Sequence, residues 1–370
     1  MNNINLFVTG TRGIPDIPGG IETHCQELYP LIAEKGYKIT ISGRKNYLKS
    51  NRREWKGLKI LPVWTLPNLY AEAIVHTFFS ILKAKSLKAD LLHIHAIGPA
   101  ILIPFAKCLG LKVVFTSHGQ DYKKKKWGIW AKLILSCGEY LGGRFSDNVI
   151  AISDSIHDIL LKRCKRKAYI IYNGVSLPEP STNTEFLDRI GVTPDRYVLA
   201  VSRFVPEKGL DLLIKALQLG YTPYKLVIAG DADHETNYSK NLKQMIDADD
   251  RIMRTGYITG EPLNQLYSHA GLFVLPSFHE GLPIALLEAM SYGLSVLVSD
   301  IEANLEVGLA KERYFNCGDI TDLKEKIDYH LANPISPDEK SIFRSRIEER
   351  YNWTKIADQT IKVYEETLAR

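Results

Sequence analysis

The sequence contains no C-x-x-C pair, and its five cysteines, Cys25, Cys108, Cys137, Cys164 and Cys317, are scattered and odd in number. That pattern argues against a zinc ribbon or a disulfide framework and favours a reduced cytosolic chain. No apolar run approaches the ~18 residues that a membrane span needs. The best candidate, residues 96–109, is broken by two prolines, a glycine and a lysine. The opening MNNINLFVTG lacks the basic region of a secretory signal and reads as a first buried strand. Tandem repeats and low-complexity tracts are also missing. What remains is an ordinary globular composition, 370 residues with 45% hydrophobic and 24% charged, a length that suggests about two domains.

Charge is unevenly spread. The chain carries +5 overall, but residues 1–180 hold 26 Lys and Arg against 13 Asp and Glu, a net of +13, and the remainder a net of −8. Such a split predicts two halves that face different partners.

Short apolar runs alternate with segments of helical spacing, twice over. INLFVTG, KITISG, ADLLHIHA, KVVFTSHG, NVIAIS and AYIIYNG come first, then a Pro/Ser/Thr-rich linker, VSLPEPSTNTE, at residues 175–185. YVLAVSR, KLVIAGD, IMRTGYI, LFVLPS and SVLVSD follow. This alternation predicts an α/β class, with two Rossmann-like domains of parallel strands covered by helices. The expected bounds are 1–178 and 179–350, with an amphipathic helix, YNWTKIADQTIKVYEETLAR, over 351–370.

The stretch SFHEGLPIALLEAMSYG, residues 277–293, sets Glu280 and Glu288 eight positions apart in an otherwise apolar segment. Pro283 suits the first turn of a helix and Gly293 its end, so a helix is expected over 283–292. Glu280 then lies at the carboxyl end of strand LFVLPS, where ligands bind in open α/β sheets. The N–H groups of Gly281 and Leu282 would open the helix and can receive anionic oxygens. Glu288 could accept two ribose hydroxyls and Glu280 sugar hydroxyls; a dipole partner and a solvent-facing residue fit the same positions. VSRFVPEKGLDLLIKAL, residues 201–217, places Arg203 just after a strand and Lys208 just before a helix. A guanidinium fork and a point charge at that spacing suit a diphosphate, or form a solvated surface pair.

Taken together, EGLPIALLEAM and RFVPEKGLDLLIKA resemble the signatures of the family-four retaining glycosyltransferases, a large bacterial group with the two-domain GT-B fold. The resemblance implies two facing Rossmann-like domains, with the C-terminal helix returning to the first. It implies that Glu280 meets the donor sugar, Glu288 the ribose, and Arg203 and Lys208 the diphosphate. TRGIPDIPGGIETHCQEL, residues 9–28, resembles the family's glycine-rich first loop, where Gly19 and Gly20 would let a phosphate or sugar approach the backbone. His118, after KVVFTS, matches a histidine that the family holds near the donor sugar. Asp121 and Tyr122 are weaker candidates for the acceptor. Gly230 would let the nucleotide approach, and the loop at Tyr257 and Ile258 would cradle the base.

Two metal-like patterns are read as structural. HIHA, residues 93–96, reads as an ordinary strand, and Asp231-x-Asp233 as a turn, because Arg203, Lys208 and the Pro283 helix terminus already meet the diphosphate charge. No metal or other cofactor is expected. The implied activity is a metal-independent hexosyltransferase, using a nucleotide-sugar and a glycan or undecaprenyl-diphosphate-linked acceptor in surface-polysaccharide synthesis. A nucleotide-sugar epimerase and a non-catalytic sugar-nucleotide-binding protein are the alternatives. The run KKKK at residues 123–126, beside Trp127 and Trp130, suits an anionic membrane interface. It predicts peripheral attachment to the inner face of the cytoplasmic membrane, and no nucleic acid partner is expected.

Overall fold

Runs such as LFV, LLHI, VVF and VLA have no polar alternation, so their residues need apolar cover on both faces, as parallel strands under helices have. The computed structural model, which describes residues 4–48, 53–66, 71–120, 122, 128–220 and 222–370, has that arrangement in two compact units. The first comprises Met1–Gly174 with Asn352–Arg370, the second Val175–Tyr351. The first crossing therefore falls at 174–175, at the start of the Pro/Ser/Thr-rich stretch and not at 178.

In the first unit the strands are β1 (Asn5–Thr9), β2 (Lys38–Arg44), β3 (Glu54–Trp55), β4 (Leu58–Val63), β5 (Leu91–His95), β6 (Val113–Ser117), β7 (Asn148–Ala151) and β8 (Tyr169–Ile170). They form one sheet in the order β3-β4-β2-β1-β5-β6-β7-β8, parallel except for the β3–β4 pair. That pair is a hairpin that the sequence reading did not include. Lys56 and Gly57 turn it with φ of 41° and 76°, the two positive values a tight type I′ turn requires.

The second unit holds β9 (Tyr197–Val201), β10 (Lys225–Ala229), β11 (Ile252–Gly256), β12 (Leu272–Leu275), β13 (Val296–Ser299) and β14 (Tyr314–Phe315). Their order is β11-β10-β9-β12-β13-β14, all parallel. Counted within the unit this is 3-2-1-4-5-6, the doubly wound order, whose crossovers change face between strands 1 and 4. The first sheet repeats that order from β4 to β7.

The helix Trp353–Ala369 belongs to the first unit. Trp353, Ile356, Ala357, Val363 and Tyr364 are buried in one core with Leu28, Tyr29 and Ile32 of the helix Gly20–Glu34. Asn352 starts the helix by accepting the N–H groups of Thr354 and Lys355. Gly174 is small for a reason, since a Cβ there would lie 2.3 Å from the Trp353 indole. Among the described residues, no helix is long and apolar enough to cross a membrane.

Candidate active site

In the second unit the place to look is the carboxyl edge between β9 and β12, where the crossovers diverge and leave a crevice. The loop after β9 carries Arg203 and Lys208, and the loop after β12 carries Ser277 and Glu280. Two backbone contacts lock these loops. The Phe278 N–H donates to the Glu207 carbonyl at 2.9 Å. Gly209, at φ 62°, passes so close to Pro276 that a Cβ would sit 2.2 Å from its carbonyl oxygen. Only glycine satisfies both conditions.

This locking brings Lys208 onto Glu280, 72 residues away in sequence: the ammonium donates to Oε1, and the Ser277 hydroxyl donates to the same oxygen at 2.7 Å. Burial would raise the Glu280 carboxyl. Lys208, Ser277 and His279 together outweigh it and hold the group below its ordinary value. Arg203 is also paired, donating from Nη1 to Asp233 Oδ2 at 2.8 Å, with about a third of its side chain exposed (33%). Asp231, the other half of the D-x-D, is tied to Lys243 at 2.9 Å. The two carboxylates thus serve different cations.

Glu288 sits one turn into the helix Ile284–Ser291 and accepts the Tyr267 hydroxyl at 2.9 Å. Tyr267 is buried and stacked on Tyr292 with ring centroids 5.1 Å apart. Burial first, and then Glu288, push its hydroxyl well above the ordinary value, so it acts as a fixed donor. The helix itself begins later than expected. Pro283, with ψ 102°, is extended and forms the cap. The amides at the helix start are therefore those of Ile284 onward, while Gly281 and Leu282 belong to the preceding loop. No side chain caps this terminus.

Gly230 has a structural reason of its own. At φ 140° it packs against Ser202, whose carbonyl oxygen would lie 2.0 Å from any Cβ, and its N–H donates to Gly256 at 2.9 Å. That bond ties the ends of β10 and β11 together. Tyr257 follows directly and is half exposed (52%), with Ile258 partly buried beside it.

In the first unit the corresponding edge lies between β1 and β5. Gly10, at φ 99°, lets the loop after β1 cross β5, with 2.1 Å between a hypothetical Cβ and the His95 carbonyl. Gly19 caps the helix Gly20–Glu34, and a Cβ on it would strike Glu22 and Arg12. Glu22 in turn holds the Thr11 hydroxyl at 3.2 Å and the Arg12 N–H at 2.9 Å. Gly19 is thus required by its own loop, whereas Gly20 has open space around it.

His118 is joined through Nε2 to His95 Nδ1 at 2.8 Å, and its ring centroid lies 5.0 Å from that of His24. One nitrogen from each of His24, His95 and His118 lies within 4.8 Å of the other two. Tyr29 bridges His95 Nε2 at 2.6 Å and His93 Nδ1 at 2.9 Å, and the Tyr364 hydroxyl meets His93 Nδ1 at 2.6 Å. HIHA is therefore a strand, as expected, but its histidines build a polar cluster within the sheet. Burial lowers His24 to about 4 and His93 to about 3, and drives His95 and His118 down as well, so the cluster is neutral. His24 was missed by sequence reading because its partners, β5, the residue after β6 and Asn173, are remote in the chain.

Tyr122 does not present a spare hydroxyl. It donates to Glu139 at 3.1 Å and accepts from Arg163 at 2.9 Å, inside an ion-paired network. Asp121 and the lysines at 123–126 lie outside the described residues.

Comparison with known proteins agrees with this architecture. Residues 184–357 match the family model for glycosyl transferases group 1, and residues 18–178 match that for glycosyltransferase family 4. An uncharacterised glycosyltransferase of Methanocaldococcus jannaschii is 28% identical over 256 residues, covering 61% of this chain and 62% of that protein. The GDP-mannose:cellobiosyl-diphosphopolyprenol alpha-mannosyltransferase of Komagataeibacter xylinus is 26% identical over 294 residues, 76% of this chain and 72% of that one. The crystal structure of Anabaena HepE in complex with UDP-glucose superposes with a TM-score of 0.78 at 19% identity, covering 98% of this chain and 99% of that one. The two family models run over nearly the whole chain, one on each unit: this protein belongs to the family-four glycosyltransferases and has their GT-B fold.

Proposed function

We propose that this glycosyltransferase moves a hexosyl unit from a nucleotide-sugar to a glycan or polyprenyl-diphosphate-linked acceptor in bacterial surface-polysaccharide synthesis, with retention of configuration. One observation carries the reading: at the carboxyl edge between β9 and β12, Lys208 from the loop after β9 meets Glu280 from the loop after β12, with Arg203 on the first of these loops and a helix start without a side-chain cap following the second. Two cations and a helix start at that edge suit a diphosphate. The UDP-glucose held by HepE and the diphosphopolyprenol named for the Komagataeibacter enzyme support donor and acceptor of this kind.

In the proposed step the bond between anomeric carbon and phosphate oxygen breaks and the diphosphate departs with the electron pair. Arg203, Lys208 and the helix start at Ile284 stabilise that charge. The acceptor oxygen attacks from the same face and passes its proton to the departing phosphate. Glu280 receives sugar hydroxyls, Glu288 the ribose, and the loop at Tyr257 and Ile258 the base. In the first unit, His118 serves a sugar hydroxyl. The reading needs no metal, since Arg203, Lys208 and the helix start supply positive charge for the leaving group.

Attachment to the inner face of the cytoplasmic membrane belongs to the same proposal. The helix Ile129–Phe145, which follows the lysine run, exposes Ile129 (79%), Trp130 (77%) and Leu133 (55%), with Lys132 between them. Apolar and basic side chains on one short stretch suit a headgroup boundary.

The test is a thermal-shift screen with UDP, GDP, dTDP and their sugars, followed by transfer assays with the donor that binds. A shift with one nucleotide and turnover only when an acceptor is present support the reading. Epimer formation without acceptor, or binding without any turnover, refutes it.

A further inference from the structure

We infer that His24, His95 and His118 form a three-imidazole site for a divalent transition metal of the zinc class, built wholly from residues of the first unit. The three residues come from three elements: the helix Gly20–Glu34, the end of β5, and the turn after β6. β5 and β6 are adjacent, with His95 opposite Thr116, and His118 follows two residues later, just past the end of β6.

The nitrogens are already close. One from each ring lies within 4.8 Å of the others, and His95 Nδ1 is 2.8 Å from His118 Nε2. Zinc–nitrogen bonds of about 2.0–2.1 Å in a tetrahedron put ligand nitrogens about 3.4 Å apart. Small ring rotations on either side of that value close the site.

On two of the three rings the remaining nitrogen is held as metal-bound histidines require. His24 Nδ1 donates to the Asn173 amide oxygen at 3.0 Å, which leaves Nε2 with its lone pair. His95 Nε2 is bonded to the Tyr29 hydroxyl at 2.6 Å, which leaves Nδ1 for the metal. Binding exchanges the His95–His118 hydrogen bond for two coordinate bonds, and the proton of that bond leaves Nε2 of His118 for Nδ1 or solvent.

The donor set also selects the ion. Three imidazoles and no carboxylate suit zinc, cobalt, nickel or copper, and poorly suit magnesium, calcium or manganese. Neutral ligands leave the dication uncompensated, so a hydroxide or phosphate oxygen completes the shell. His118, partly exposed, is the side from which it enters. The site has a consequence that rests on the proposed role of His118: metal captures the imidazole meant for the donor sugar. Zinc therefore opposes transfer, and chelator restores it.

The test is cobalt titration of the full-length, chelator-treated protein, read by the visible bands of tetrahedral, nitrogen-ligated cobalt. One equivalent is expected, displaced by zinc. His24→Gln and His95→Gln should each weaken cobalt binding by more than about 100-fold, and Asn173→Ala by about 10- to 100-fold. His234→Gln, an exposed histidine, should leave the titration unchanged. Circular dichroism and thermal melts without metal establish that each variant is folded. Absence of saturable bands in the wild-type protein overturns the site. So do bands that persist undiminished in folded His24→Gln or His95→Gln. Bands with normal stoichiometry but transfer indifferent to zinc leave the site standing and refute the donor role of His118.

Discussion

Replacing Glu280 by Gln separates two roles that the geometry couples. The carboxylate holds the Lys208 ammonium and the Ser277 hydroxyl on one oxygen, with only 9% of its side chain exposed. Glutamine keeps the size and can still accept from Ser277, but the charge is gone and Lys208 loses its counter-ion. If Lys208 grips the leaving diphosphate, Glu280 competes for it, and the variant should bind free nucleoside diphosphate as well as the wild type or up to about tenfold tighter, the ~1.4 kcal/mol fraction of a charged hydrogen bond that a competitor releases. Transfer should move the other way. Loss of one charged hydrogen bond to the sugar, about 1.5–3 kcal/mol, corresponds to a fall in kcat/KM of about 10- to 150-fold. Calorimetric titration with the nucleotide from the donor screen and a transfer assay on the same preparation read both quantities. Nucleotide affinity that weakens in step with transfer would refute the reasoning, because it would make Glu280 a support for the whole loop and not a sugar contact.

Arg203→Ala and Lys208→Ala should each weaken nucleoside diphosphate far more than nucleoside, by about 1.5–3 kcal/mol, with transfer surviving excess chelator; equal losses for both ligands in a calorimetric titration would count against a diphosphate clamp. Tyr267→Phe removes the donor to Glu288 and should cost about 1–3 kcal/mol of stability, since it leaves a part-buried carboxylate short of a partner; an unchanged melting temperature would mean that solvent replaces the bond. Acid should destabilise the first unit early. His24 falls from 6.5 to about 4 on folding and His93 from 6.5 to about 3, so the unfolded chain binds more protons below 6.5 and stability drops as pH falls through that window. The loss is about 1.4 kcal/mol per histidine at pH 5.5, and melts between pH 7.5 and 5.5 that coincide would contradict it. Trp130→Ser with Ile129→Ser should reduce sedimentation with anionic vesicles at low salt, whereas equal binding to neutral vesicles in high salt would remove the membrane reading.

Strands in this chain were legible because most are buried on both faces and read as continuous apolar runs. The exceptions are instructive. β3 and β14 are two residues long and β4 contains Pro62, so none makes a run; their pairing depends on neighbours already in place. Arg203, Lys208, Glu280 and Glu288 could be named from their positions after strands and on a helix. Their partners could not: Asp233 was read as a turn residue, while Ser277 and Tyr267 gave no signal of spacing or charge. The assignment of Gly19 and Gly230 to ligand approach shows the same limit. A glycine in the sequence marks a close approach, but only the fold reveals that Glu22 with Arg12, and the Ser202 carbonyl, are what approach. His24 illustrates it most fully, because a histidine on a helix acquires chemistry only from the strand ends beside it.

The return of Trp353–Ala369 to the first unit bears on how the chain is made. A ribosome delivers β1 to β8 first, yet the core they share with Trp353, Ile356 and Tyr364 stays open until the helix arrives. Val175–Tyr351, by contrast, is contiguous and can close as it emerges. The half synthesised first is therefore the half finished last, and it spends the intervening time with Leu28, Tyr29 and Ile32 uncovered, available to chaperones. A chain cut after Tyr351 would keep Val175–Tyr351 whole and leave the other unit without its closing helix, so a lesion late in this stretch is felt by the part made earlier.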